Sequence, residues 1–141
     1  MKSHILAYLI VVLSSGSAFS EAFFCTGEAS GGMRYTDNGW KGVPFNVDGD
    51  QFVVSNTPEN PNVYTVREMG KDYTKFRCNR SIFSGELSDQ MTCGGLGWGM
   101  IINLKDLRYT EIYTIGYIEN DTTGKNTPSI TSGKCTKIDT N

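Results

Sequence analysis

The chain has 141 residues, enough for one compact domain, and its 38% hydrophobic content can furnish a single core. Thirteen Lys and Arg against fifteen Asp and Glu give a formal net charge of −2 without blocks of like sign, which argues against a nucleic-acid binder. The one histidine, His4, lies in a segment read below as a leader, so histidine triads, Cys-His dyads, His-ligated zinc and imidazole pH switches are closed to the mature chain.

Residues 1–22 have the layout of a signal peptide. Lys2 and His4 form a polar start, Ile5 to Leu13 is apolar, and Ser14 to Ala22 supplies small residues. The apolar run is far short of the roughly 20 residues needed to cross a bilayer core, so no stable membrane insertion is expected after its removal. Ser20-Glu21-Ala22 and Ala18-Phe19-Ser20 both offer small side chains around a cut; the cut is expected after Ala22, with Ser20 as the second choice. Phe23-Phe24 before Cys25 does not fit a lipoprotein signal. Residues 23–141 are then a single secreted or periplasmic domain.

The first candidate site follows closely. In Gly32-Met33-Arg34-Tyr35-Thr36-Asp37-Asn38-Gly39-Trp40-Lys41-Gly42, aromatic and basic residues flank Asn38-Gly39, a dipeptide suited to a tight turn. Trp, Tyr and Arg are the types most enriched at binding hot spots, so Arg34, Tyr35, Trp40 and Lys41 are candidate binding residues. Trp40 would be the apolar anchor and Lys41 the charged probe. The competing reading makes Tyr35 and Trp40 core residues at the ends of a hairpin. The stretch locally resembles the G-x-R-Y…W-x-K-G signature of bacterial inhibitors of c-type lysozyme, although Trp40-Lys41-Gly42 lacks the residue between W and K. The resemblance, confined to Gly32–Gly42, implies a small exported β-barrel with a disulfide from first to last strand. It also implies a loop serine and lysine inserted into the lysozyme cleft, with Lys41 near the inhibitory lysine.

Strand signals continue along the chain. Val43 to Val47 and Gln51 to Ser55 flank Asp48-Gly49 and read as a hairpin. Asn46, Asp48 and Asp50 alternate like the start of a calcium loop, but glycine falls fourth and Thr57 twelfth, so no metal site is assigned. Thr57 to Asn62, with Pro58 and Pro61, reads as a loop. Val63 to Glu68 and Tyr73 to Cys78 pair around Met69 to Asp72, and Arg80 to Ser88 is turn material. Gln90 to Cys93 and Trp98 to Leu104 follow. The glycines from Gly94 to Gly99 lack the helix and the Lys-Ser/Thr of a phosphate loop and read as a turn or bulge packed near Cys93, with Trp98 partly exposed. Leu107 to Ile118 is the clearest strand, with Leu107, Tyr109, Glu111, Tyr113, Ile115 and Tyr117 on one face, although Glu111 interrupts it. Glu119 to Pro128 is polar loop, and Ile130 to Ile138 closes the domain.

About seven to nine short strands at this spacing indicate an all-β antiparallel barrel or sandwich. Four cysteines in an exported chain argue for two disulfides and no free thiol. Cys25 and Cys135 bracket the domain while Cys78 and Cys93 lie in successive strands, so the nested pairing 25–135 and 78–93 is expected. A bridge from first strand to last favours a barrel, where those strands are neighbours.

Asn79-Arg80-Ser81 and Asn120-Asp121-Thr122 match the glycosylation triplet. Paired carboxylates are the one hydrolytic chemistry that needs no histidine, with Glu28, Asp37, Glu68, Glu86 and Glu111 as candidates. The expected function is a non-enzymatic exported β domain, without cofactor or metal, binding a protein or glycan outside the cytoplasm. Inhibition of a wall-degrading enzyme such as c-type lysozyme and a carboxylate-dependent hydrolase are the alternatives.

Overall fold

The computed structural model describes residues 20–139, so most of the expected leader, including its apolar run, lies outside the described residues. Nine strands follow in chain order: β1 Ala22–Thr36, β2 Gly39–Phe45, β3 Gln51–Thr57, β4 Asn60–Glu68, β5 Phe76–Phe83, β6 Glu86–Gly95, β7 Trp98–Asn103, β8 Arg108–Tyr113 and β9 Ser129–Ile138. A single helical turn, α1 Ile115–Ile118, falls between the last two. The sheet order is β2-β1-β3-β4-β5-β6-β7-β8-β9, and β1 also pairs with β9. Eight strands therefore close an antiparallel barrel, and β2 is an extra strand laid on β1.

The length of β1 makes this arrangement possible. Its start, Ala22 to Thr26, pairs with β3, and its end, Ser30 to Thr36, pairs with β2 on the same edge. Along its other edge, Ala22 to Gly32 runs beside β9 with a bulge between Gly27 and Ala29. Contrary to the hairpin expected from sequence, Asp48-Gly49 does not join paired strands: β2 and β3 do not pair, and both use β1. The connection steps the chain along β1 and docks on the bulge, where the Gly27 amide donates to Asp50 O at 2.8 Å.

Alternate residues of each strand turn inward and fill the barrel. Phe52, Val54, Tyr64, Val66, Phe76, Met91, Met100, Ile102 and Tyr109 form the core with both disulfides. The bridges are Cys25–Cys135 and Cys78–Cys93, as the spacing predicted, and each joins residues directly opposite in neighbouring strands. Around the barrel the β1–β9 seam and the β5–β6 pair stand across from one another, so the two staples hold opposite walls.

Three further boundaries differ from expectation. The strand from Leu107 ends at Tyr113, because the Thr114 amide turns to donate to Gly97 O at 2.7 Å and the chain enters α1. Within 57–62 only Pro58 and Glu59 turn, and β4 already begins at Asn60. The turn material of 80–88 is a continued hairpin, with Phe83 paired to Glu86 around Ser84-Gly85. The barrel also includes residues that the expected cut would remove. Ala22 pairs with Ser55 and Ile138, and Glu21 accepts from Tyr64 Oη and Lys137 Nζ, both at 2.8 Å.

Candidate functional site

Past Gly32, β1 loses its pairing with β9 and continues with β2 alone. The β1–β2 tip is therefore a hairpin projecting from one end of the barrel. Its turn is tight because Gly39 takes φ 91°, a conformation open to glycine, while Thr36 Oγ1 donates to Gly39 O at 2.9 Å. Tyr35 stands opposite Trp40, and Arg34 opposite Lys41.

This register divides the four candidate residues. Directly opposed residues share a face, so Tyr35 and Trp40 lie on one side of the hairpin and Arg34 and Lys41 on the other. The anchor and the charged probe do not point the same way. Tyr35 and Trp40 meet edge to face at 5.5 Å, and the Trp40 ring meets Tyr117 of α1 at 5.3 Å. Tyr35 is 40% and Tyr117 48% exposed, Trp40 is half-buried, and none of the three belongs to the core cluster. Met33, also on the Trp40 side, lines an apolar hollow of about 340 Å³ with Tyr113, Pro128 and Ile130. On the other side the Arg34 guanidinium lies 5.6 Å from the Phe45 ring centre, and Lys41 is exposed.

The remaining candidates have local roles. Asn46 accepts from the Asp48 amide and donates through Nδ2 to Asp48 Oδ2, closing a small turn. No group of three or more His, Cys, Asp or Glu able to hold a metal occurs among the described residues. Gly94 and Gly99 flank the β6–β7 turn, where a Cβ on either would stand 2.7 Å from a backbone oxygen, in line with the structural reading of that stretch. Asn79 and Asn120 are both exposed.

Glu111 interrupts the tyrosine face because it is held inside the barrel end. Lys75 Nζ is 2.8 Å from its Oε1, and Trp98 Nε1 donates to that oxygen at 3.1 Å. Glu28 is engaged on the outside by Arg108 and Lys134. Burial, and then the neighbouring Glu111 charge, push the Asp50 carboxyl above its usual range. Tyr64 is a core residue whose hydroxyl is pushed up to about 12 by burial and by its bond to Glu21. Burial likewise raises Tyr109, whose hydroxyl is enclosed without a hydrogen-bond partner among the described residues.

Tyr117 was missed as a site residue because the sequence pattern assigned it to a strand. The helical turn swings it to the hairpin instead. No family model matches the chain, and no curated protein or solved structure is significantly similar to it.

Proposed function

We propose that the chain is an exported, non-enzymatic binding module that engages a protein or glycan outside the cytoplasm through the Tyr35–Trp40–Tyr117 edge. The observation that carries this reading is the edge itself: Trp40 in contact with both Tyr35 and Tyr117, all three outside the core, where the end of β1 runs past the closed barrel beside β2 and meets α1. The short turn and the cross-strand contact hold the rings in place before binding, which lowers the ordering cost of association. Two disulfides support an oxidising compartment. Among the described residues no helix is long and apolar enough to cross a membrane. Equilibrium binding to a panel of extracytoplasmic glycans and proteins tests the proposal, with Trp40→Ala as the specificity control. A ligand bound by the native protein and lost by the variant supports it, and a ligand bound equally by both refutes it.

A second reading, inhibition of c-type lysozyme, is favoured by the Cys25–Cys135 bridge between the first and last strands of a closed barrel and by the exposure of Lys41. Lysozyme turnover on bacterial walls at rising protein concentration tests it. Inhibition relieved by Lys41→Ala would support this reading, and unchanged turnover at excess protein would dismiss it.

A further inference from the structure

The barrel end away from the aromatic hairpin opens into a cavity of about 450 Å³. That volume lies within the range of about 300–1,000 Å³ usual for small-molecule sites, and barrel mouths are a preferred place for them. Its floor is apolar: Phe23 is buried, and Leu104 and Leu107 pack against the core. Its rim is charged. Glu21 pairs with Lys137 at 2.8 Å and Arg80 with Asp89 at 3.4 Å, whereas Lys105 makes no ion pair among the described residues. Among the lining residues three cations face two carboxylates, and Asp139 also acts on Lys137, so Lys105 is the lining cation without a carboxylate partner among the described residues.

The β5–β6 hairpin extends past this mouth. Pairing of β5 with β4 stops at Asn79, and Arg80 to Phe83 are held by β6 alone. The β5–β6 register shifts between Arg80 and Ile82, and beyond the shift Ile82 lies opposite Leu87. Ile82 is 72% and Leu87 48% exposed, so an apolar pair stands uncovered on the hairpin that carries Arg80 and Asp89 past the lining of this mouth.

We propose that this mouth binds a small amphipathic anion, with a carboxylate or phosphate group against Lys105 and an alkyl or aryl tail along Leu104, Leu107 and the Ile82–Leu87 pair. The unmatched cation sets the sign of the headgroup. The floor and the projecting pair supply apolar contact at about 0.8 kcal/mol for each methylene buried, about a fourfold gain in affinity per added carbon. The site is separate from the aromatic edge and stands or falls without it.

Two-dimensional NMR of the disulfide-bonded protein titrated with octanoate and octyl phosphate tests the proposal, with uncharged octanamide as control. Saturable shifts at Phe23, Leu104, Leu107 and Ile82 are expected, with octanamide binding about fivefold more weakly. Lys105→Glu, an exposed substitution that should leave melting unchanged, should weaken octanoate about tenfold and leave octanamide unaffected. Trp40→Ala should alter neither. Absence of saturable shifts, equal binding of octanamide and octanoate, or shifts centred on the β1–β2 hairpin would overturn the proposal.

Discussion

Replacing Lys75 with methionine removes the cation from an ion pair whose side chains are only 13% and 14% exposed. Lys75 Nζ lies within 2.9 Å of Glu111 Oε2, 4.6 Å from the Phe52 ring centre and 5.6 Å from that of Phe76. In the variant, Glu111 keeps Trp98 Nε1 as its donor but loses its cation. Breaking a buried pair from one side costs about 3–5 kcal/mol. The slight exposure places Lys75→Met near the lower limit, about 3 kcal/mol. Removing both charges is different, since an apolar pair of similar volume is often neutral. Lys75→Met/Glu111→Leu should return to within about 1 kcal/mol of the native protein, about 2 kcal/mol more stable than Lys75→Met alone. Urea denaturation of the two single variants and the double variant measures this, provided the denaturant slopes agree. A loss below about 1 kcal/mol for Lys75→Met, or a double variant no more stable than the single one, would refute the reasoning.

On the chain-entropy model, Cys25→Ser/Cys135→Ser should cost about 4.7 kcal/mol and Cys78→Ser/Cys93→Ser about 3 kcal/mol, because the first bridge closes the longer loop; denaturation midpoints showing the reverse order would contradict this. Hydrogen bonds from Lys137 and Tyr64 hold the Glu21 carboxyl below the usual glutamate range. Its contribution is therefore present above the ordinary glutamate pKa and is lost as pH falls through the lowered folded value, so Glu21→Gln should flatten the acid side of the stability profile. Retaining these contacts requires a mature chain that begins at or before Glu21, and an intact mass beginning at Phe23 would show that the domain forms without them. At Gly133 a Cβ would collide with Thr26 O and the Tyr109 ring, so Gly133→Ala should cost about 3 kcal/mol or more, whereas Gly49→Ala, with open space around its Cβ, should stay within about 0.5 kcal/mol by thermal melting.

Local chemistry made much of the barrel legible in the sequence. Tyr109, Glu111 and Tyr113 do share the inward face that their alternation predicts, and the apparent fault in that pattern, Glu111, is matched by a lysine far away in the chain. The cysteine pairing was legible because one pair lies in a hairpin and the other in the first and last strands. The placement of β2 was hidden, since the good turn dipeptide Asp48-Gly49 says nothing about β1 being long enough to pair with β2 and β3 in succession. The end of β8 was hidden for a similar reason. Ile115 and Tyr117 continue the alternation, but Gly97 captures Thr114 and Gly116 packs so closely on Asn126 that a side chain has no room there. At the candidate site, composition singled out Tyr35 and Trp40 but carried no information on register, which puts Arg34 and Lys41 on the opposite face. Tyr117 became visible only once α1 had redirected it.

The availability of the aromatic edge is tested most directly by the affinity of a panel-identified ligand for Trp40→Ala, read beside the denaturation midpoint of the same variant. A hot-spot ring on a projecting hairpin predicts a loss of about 2 kcal/mol in binding, about thirtyfold in affinity, with a small change in folding stability. Unchanged affinity, or a folding loss of about 3–5 kcal/mol as for a core aromatic, would contradict the assignment of this edge as a binding surface.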